Sequence, residues 1–190
     1  MDRVTKMKNA SSDSSIERLI IKGEESPEQS QKRKTNWRSR MFKNFSSRES
    51  RHSSGLSTEE VSQWAQSLDH LLSSKYGLMA LQLFMQSEHS EENLEFWLAC
   101  EDYRQIDSLP KLKSKATAIY EQFIRPDSPK EINLDTQTRK ALGQSIRTPT
   151  QSIFSAAQSR VYFLMENNSY PRFLESHLYQ HLSGISKAEP

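Results

Sequence analysis

The sequence predicts an all-α domain that follows a basic tail. Beyond Thr58, apolar residues recur every three or four positions, which is the spacing of one face of an α-helix. No segment alternates apolar and polar residues as a half-buried strand does. The five glycines in 190 residues are too few for a turn-dense β-sandwich. We therefore expect helices packed into bundles around an apolar core.

Charge and apolar content divide the chain near Thr58. Residues 1–57 hold 13 Lys or Arg, 7 Asp or Glu and 13 apolar residues, whereas residues 58–190 hold 13, 17 and 52. The first segment cannot bury enough apolar surface to offset its chain entropy. We expect a largely disordered, serine-rich basic tail over 1–57, one domain over 58–183 and a short C-terminal tail over 184–190.

Capping residues and apolar stripes predict the helices in the first half of the domain. Ser57 and Glu60 form a capping box, and the stripe behind them predicts one continuous helix as far as Leu72. A second helix contains the apolar residues of 78–85, and Ser90 is the predicted N-cap of a third. The stripes are Val61, Trp64, Ala65, Leu68, Leu71 and Leu72; Leu78, Leu81, Phe84 and Met85; and Leu94, Trp97 and Leu98.

The second half of the domain has similar signals. Ser108 is the predicted N-cap of a fourth helix, which Pro126 ends. A helix over about 138–146 follows, and Thr150 is expected to cap the next one. The Asn-Asn-Ser sequence at 167–169 is expected to interrupt that helix before a last one begins. The stripes are Leu112, Ala116, Ile119, Tyr120 and Phe123; Ile153, Phe154, Ala157, Val161, Leu164 and Met165; and Tyr170, Phe173, Leu174, His177, Leu178, His181 and Leu182.

The sequence offers no catalytic or cofactor-binding motif: it has no phosphate-binding loop, dinucleotide fingerprint or nucleophile elbow. A single cysteine, Cys100, excludes a disulfide framework, and its apolar helix favours a small buried residue over a reactive thiol. His177 and His181 lie four residues apart, but Leu178 stands where a zinc hydrolase has glutamate, so surface histidines are favoured over a metal site. We expect no metal and no cofactor.

Three polar connections interrupt this apolar domain, at residues 88–93, 126–135 and 167–169. Binding residues often lie on polar loops that a rigid scaffold positions, although most polar loops are only solvated turns. These connections are therefore the candidate binding surface of the domain.

Three motifs resemble the signature of the regulators of G-protein signalling, the RGS family. They are SEENLEFWLACE at 90–101, PKEINLD at 129–135 and NSYPRFL at 168–174, and they occur in family order. The likeness covers about residues 60–182. The resemblance, to a small single-domain member, implies about nine helices in two subdomains. It also implies a GTPase-activating protein for heterotrimeric G-protein α subunits (Gα), one that terminates receptor signalling and has no catalytic chemistry of its own.

The resemblance implies a Gα-binding surface built from the three polar connections. Asn133 would approach the Gα glutamine that orients the attacking water, and Asn93 would bind the mobile switch segments. Taken alone, Asn133 is typical of a turn, Ser90 of a helix cap and Leu164 of a core. The implied set is Ser90, Glu92, Asn93, Lys130, Glu131, Asn133, Leu164, Asn168, Ser169 and Arg172.

Two departures from the family pattern bear on the class of Gα. Many members have Asp at the position of Asn168 and a basic residue at that of Glu175. Asn168 keeps an acceptor, loses the charge and gains donors. Both departures resemble a minority pattern associated with the q class, so the expected partner is GTP-bound Gα of the i or q class, with q selectivity as a hypothesis. The alternative function is a helical scaffold that binds Gα or an effector without accelerating hydrolysis.

The tail predicts contact with a membrane surface. Its aromatic and basic residues suit an amphipathic helix over 32–46 that binds anionic inner-leaflet lipid. The alternative is a disordered stretch without a ligand. Nucleic acid is not expected, because the domain is acidic. No apolar run approaches the roughly 20 residues that cross a bilayer, and no signal segment follows Met1. We expect a monomer in the cytoplasm and at the cytoplasmic face of the plasma membrane. The membrane-binding residues are Lys32, Arg33, Lys34, Trp37, Arg38, Arg40, Met41, Phe42, Lys43 and Phe45.

Overall fold

A computed structural model describes residues 56–184, and this part of the chain is helical with no strand. It contains nine α-helices and two short π-helical turns. The predicted all-α fold class is confirmed. The α-helices are α1 (Thr58–Gln63), α2 (Leu68–Ser73), α3 (Lys75–Ser87), α4 (Glu91–Arg104), α5 (Leu109–Ile119), α6 (Thr136–Ser145), α7 (Ser155–Leu164), α8 (Tyr170–Glu175) and α9 (His177–Leu182); the π turns are π1 (Tyr120–Ile124) and π2 (Met165–Ser169).

The described residues divide into two units. The first comprises residues 56–84 and 170–184, and the second comprises residues 85–169. The predicted tail over 1–57, its helix over 32–46 and the C-terminal residues 185–190 lie outside the described residues, apart from 56 and 57. None of the described helices is long and apolar enough to cross a membrane.

The first unit has a core of aromatic and aliphatic side chains. Trp64 and Phe173 are almost fully buried. The ring of Phe173 packs edge-on against Phe84 at 5.8 Å and lies 5.5 Å from Tyr179. The Tyr170 hydroxyl donates a 2.8 Å hydrogen bond to the Trp64 carbonyl. Edge-to-face ring pairs add specific attraction to the burial of apolar area.

Two of the predicted long helices are each divided in this unit. Ser57 caps α1 through a hydrogen bond from the Glu60 amide, which is one half of the predicted capping box; the Glu60 carboxylate accepts from the Ser74 hydroxyl at 2.7 Å. The prediction of one helix through Leu72 is wrong, because Ser67 caps a second helix by accepting from the His70 amide at 3.2 Å. In the same way Ser176 accepts from the Tyr179 amide and begins α9. A side-chain cap satisfies a free amide at each new start.

The second unit is built around a chain of aromatic rings. Phe96 packs edge-on against Phe123 at 5.7 Å and Phe154 at 6.3 Å, and Phe154 packs on Tyr103 at 5.0 Å. Buried Gln158 joins α7 to α4, because its amide nitrogen donates to the Trp97 carbonyl at 3.1 Å. These contacts make α4 a rigid base for the residues at its N-terminus.

The predicted helix starts in the second unit are confirmed in part. Ser90 and Ser108 lie at the N-cap positions of α4 and α5, as predicted, but neither side chain makes a capping hydrogen bond. Thr150 does not cap α7; its hydroxyl lies 3.2 Å from that of Ser152, and the helix begins at Ser155. The α-helix is interrupted around 167–169, as expected, but by the π turn π2 over Met165–Ser169, which keeps the backbone helical between α7 and α8.

Candidate functional site

The first polar connection forms the N-terminus of α4, where Asn93 is held within its own turn. Its amide nitrogen donates to Glu92 Oε1 at 3.0 Å and to the Ser90 carbonyl at 3.5 Å. Asn93 Oδ1 is buried and has no hydrogen-bond partner among residues 56–184. His89, just before this turn, has a φ of 55°, a conformation that few residues other than glycine adopt. Unpaired polar atoms and unusual backbone conformations are concentrated at functional sites.

Lys130 joins the second polar connection to α4. Its Nζ lies 2.6 Å from Glu95 Oε2 and 4.0 Å from Glu91 Oε1. The side chain of Glu95 is only 4% exposed, and that of Lys130 is 27% exposed. The charge pair is therefore mostly shielded from water. In such an environment a single hydrogen bond between charged groups is strong.

A cleft of about 420 Å³ lies between the turn before α4 and the loop that carries Lys130. Burial raises the pKa of the Glu92 carboxyl above its ordinary value, and the neighbouring Glu91 carboxylate raises it further. The cleft, which we call the acidic cleft, is lined by His89, Glu91, Glu92, Pro129, Lys130 and Glu131. Its carboxylates outnumber its one lysine, so it suits a partner that offers hydrogen-bond donors or positive charge.

The second polar connection, residues 126–135, lies in the loop between π1 and α6, which we call the 125–135 loop, and it holds Asn133 outward between two buried neighbours. Ile132 is 1% exposed and Leu134 is 7% exposed, whereas Asn133 is exposed. The Ile132 amide donates to the Phe123 carbonyl at 2.9 Å, which ties the loop to π1. Exposed and buried residues alternate from 131 to 135, so Asn133 lies on the solvent side of this segment. The chain thus presents one amide side chain on a fixed backbone.

Two residues outside the predicted Gα-binding set, Arg139 and Asp135, hold the 125–135 loop in place. Arg139, in α6, donates to the Ile124 carbonyl at 2.5 Å and to the Leu134 carbonyl at 3.4 Å, and pairs with Glu131 at 2.7 Å. Asp135 caps α6 by accepting from the Thr138 amide at 2.8 Å. An aspartate just before a helix is a recognisable cap signal, whereas an arginine within a helix carries no local signal of such contacts.

The third polar connection lies in π2. Asn168 is exposed, Ser169 is 6% exposed, and Leu164 at the end of α7 is partly buried. Asn167 donates to the Phe163 carbonyl at 2.8 Å, within the same turn. A π turn widens the helix by one residue, and such turns are frequent at functional sites. Arg172 is exposed in α8, which belongs to the first unit.

The structure brings together one part of the predicted Gα-binding set. Ser90, Glu92 and Asn93 share one turn, and Glu92 faces Lys130 and Glu131 across the acidic cleft. Asn133 follows two residues after Glu131. Among the second unit's described hydrogen bonds and ion pairs, none joins Leu164, Asn168 or Ser169 to this group. Those three remain predicted contacts.

Cys100, His177 and His181 are the residues considered for a reactive thiol or a metal site. Cys100 is buried, and burial raises the pKa of its thiol. The prediction of a small buried residue is therefore confirmed. His177 and His181 are both exposed on α9. No group of His, Cys, Asp or Glu within residues 56–184 has the arrangement of a metal site.

Comparison with known proteins identifies the family. The sequence matches the regulator of G protein signaling domain over residues 67–182. The chain belongs to the RGS family. The RGS domain matched here lies within the domain predicted over 58–183, and it contains all three polar connections. The chain is accordingly a regulator of G-protein signalling.

Curated RGS proteins cover most of the chain at high identity. Regulator of G-protein signaling 8 from Macaca fascicularis is 49% identical over 148 residues, which is 78% of this chain and 75% of that protein. The human protein of the same name is 49% identical over 132 residues, covering 70% and 73%. Regulator of G-protein signaling 13 from Mus musculus is 49% identical over 129 residues, covering 68% and 82%.

Proposed function

We propose that this chain accelerates GTP hydrolysis by Gα and so terminates signalling by G-protein-coupled receptors. The observation that carries the proposal is the presentation of Asn133, an exposed amide between buried Ile132 and Leu134 on a loop tied to π1 and α6. This side chain is positioned before any partner arrives. Preorganised polar groups lose little entropy on binding and favour one geometry of the bound partner.

The proposed mechanism places the reacting groups on Gα. Gα carries its own catalytic arginine and the glutamine that orients the attacking water, so the RGS domain need only hold these groups in their reactive arrangement. Only binding that is stronger in the transition state than in the ground state raises the rate. A hundredfold acceleration corresponds to about 2.7 kcal/mol, which one or two hydrogen bonds to charged groups supply.

In this proposal each of the three polar connections contacts a different part of Gα. Asn133 contacts the Gα glutamine, and Asn93, with Ser90 and Glu92 beside it, contacts the switch segments. Lys130 is held by Glu95 at 2.6 Å, so we propose that it acts mainly by fixing the loop to α4. Glu131 similarly orders the loop by accepting from the Asp127 amide. Leu164, Asn168, Ser169 and Arg172 form the third region of contact.

Single-turnover hydrolysis of GTP bound to purified Gα tests the proposal. The full chain is expected to raise the rate at least tenfold, and Asn133→Ala is expected to remove most of that gain. Gln144→Ala is the matched control, because Gln144 is an exposed amide in α6 outside the predicted set. Binding to GTP-loaded Gα without any acceleration would contradict the proposal and establish the scaffold function instead.

The class of Gα is a separate part of the proposal. Asn168 is exposed in π2 and lacks the negative charge that many RGS domains carry at this position, and Glu175 supplies a carboxylate two residues before α9. We propose that these changes favour Gα of the q class. The same hydrolysis assay with i-class and q-class subunits tests this: equal acceleration of both classes would refute the selectivity and leave the activity intact.

The tail is proposed to hold the chain at the cytoplasmic face of the plasma membrane. Residues 32–51 contain eight Lys or Arg and one Glu, with Trp37, Phe42 and Phe45 among them. Each basic residue near an anionic surface contributes about 1 kcal/mol. Vesicles containing phosphatidylserine should sediment the full chain, neutral phosphatidylcholine vesicles should not, and Trp37→Ala should weaken sedimentation. Equal sedimentation with both lipids, or no effect of Trp37→Ala, would contradict this function.

A further inference from the structure

Arg139 reaches three points of the 125–135 loop with one guanidinium group. Nη1 donates to the carbonyl of Ile124, just before the loop, and pairs with the carboxylate of Glu131 inside it. Nη2 donates to the carbonyl of Leu134, next to Asn133. The side chain is 17% exposed, so these contacts are largely shielded from water. A rigid planar fork can satisfy separate acceptors at once, which the single nitrogen of lysine cannot do.

The Glu131 carboxylate extends this set of contacts to the start of the loop. Its Oε1 lies 2.7 Å from Arg139, and its Oε2 accepts from the Asp127 amide at 2.9 Å. Asp127 has a φ of 59°, in the left-handed region where non-glycine residues are uncommon. Such a conformation persists when surrounding contacts determine it. Arg139 is therefore joined to the turn at Asp127 through Glu131, and it binds directly to the carbonyl of Leu134, the residue after Asn133.

We propose that Arg139 is the positioning residue of this loop: it sets the direction of Asn133 by joining Ile124, Glu131 and Leu134. The inference rests on the proposed function in assigning Asn133 a role at Gα. It adds that the role depends on a residue in α6 that lies outside the predicted Gα-binding set. Arg139 acts on GTP hydrolysis only through Asn133.

Hydrogen exchange in the free chain tests the positioning without any G protein. Arg139→Lys should accelerate exchange of the Asp127 amide at least fivefold and shift the side-chain amide resonances of Asn133, while the buried Val161 amide is unchanged. Arg147→Lys is the matched control, since Arg147 is an exposed arginine just after α6. Unchanged exchange at Asp127 in Arg139→Lys would overturn the inference, whatever the activity of the chain.

Hydrolysis by Gα then tests whether the positioning acts through Asn133. Arg139→Lys should lower the acceleration about tenfold in the wild-type chain and less than twofold in the Asn133→Ala chain. Equal losses in both backgrounds would show an independent structural effect and overturn the inference. If wild type gives no acceleration, the proposed function fails, and the exchange experiment still decides the positioning.

A second variant covers the case in which Arg139→Lys does not fold. Glu131→Gln keeps the side-chain volume and weakens both the ion pair and the acceptor for the Asp127 amide. It should accelerate exchange at Asp127 at least threefold, while Val161 is unchanged. Exchange at Asp127 as slow as in wild type would then overturn the inference.

Discussion

Replacing Lys130 by methionine tests the link between the 125–135 loop and α4. The substitution keeps most of the side-chain volume and removes the ammonium group that lies 2.6 Å from Glu95. Breaking a fully buried ion pair costs about 3–5 kcal/mol, and a hydrogen bond between charged groups contributes about 1.5–3 kcal/mol. Because the Lys130 side chain is 27% exposed, water can reach the vacated position. We therefore expect Lys130→Met to lower the free energy of unfolding by about 2 kcal/mol.

Urea unfolding of the full chain, followed by circular dichroism at 222 nm, measures this cost. A double-mutant cycle with Glu95→Gln isolates the pair, because a neutral amide in place of the carboxylate no longer needs the lysine charge. In the Glu95→Gln background Lys130→Met should cost less than about 0.7 kcal/mol, so that the coupling free energy exceeds about 1 kcal/mol. Lys111→Met, at an exposed lysine of α5, should change stability by less than about 0.5 kcal/mol.

Two outcomes would refute this reasoning. If Lys130→Met costs no more than Lys111→Met, the ion pair contributes nothing to the folded state. If Lys130→Met costs the same in the wild-type chain and in the Glu95→Gln background, the loss comes from packing of the lysine stem, not from the charge of Glu95. Either result would remove the proposed role of Lys130 in fixing the loop.

Two further substitutions test the fold and the electrostatics. Gly77→Ala should lower the thermal unfolding temperature, despite the better helix propensity of alanine, because the new Cβ would lie 2.4 Å from the Leu71 carbonyl oxygen. Gly143→Ala is the control and should lower the unfolding temperature much less, because the nearest atom to its new Cβ is a side-chain oxygen at 3.1 Å. Equal decreases in the two variants would contradict this explanation. Hydrogen bonds from the Thr138 hydroxyl and amide lower the pKa of Asp135 in the folded chain. The ionised carboxylate therefore stabilises the fold above about pH 4, the ordinary pKa of aspartate. This contribution to stability is lost as the pH falls through the lower pKa of the folded chain. Asp135→Asn should therefore be less stable than wild type at pH 6 and approach it near pH 2, whereas a constant difference in urea unfolding across this range would contradict the assignment.

Much of the fold follows from local sequence, because helices require only a periodic apolar face and a capping residue. The stripes of α3, α4 and α5 predict helices that the structure contains. Errors occur where two helices share one stripe. Ser67 and Ser176 begin new helices without a break in the apolar periodicity, so the pattern alone predicts longer helices.

The candidate site is less accessible to sequence reasoning, because its contacts join distant positions. Lys130 and Glu95 are 35 residues apart, and only the packing of the loop on α4 brings them together. In the sequence Arg139 looks like any arginine on the surface of a helix. Its contacts with the loop depend on the directions of backbone carbonyls, which the sequence does not specify. Asn133, in contrast, could be identified from its motif, and its neighbours Ile132 and Leu134 indicate by their apolar character which side chain points outward.

Affinity for Gα in different nucleotide states tests the central claim most directly. If the RGS domain binds the transition state better than the ground state, the ratio of the two affinities equals the acceleration at saturation. We predict that the chain binds Gα carrying GDP and aluminium fluoride, which mimics the transferring phosphoryl group, about 10–100 times more tightly than Gα carrying a non-hydrolysable GTP analogue. Asn133→Ala should remove most of this difference. Equal affinity for the two states would contradict the account.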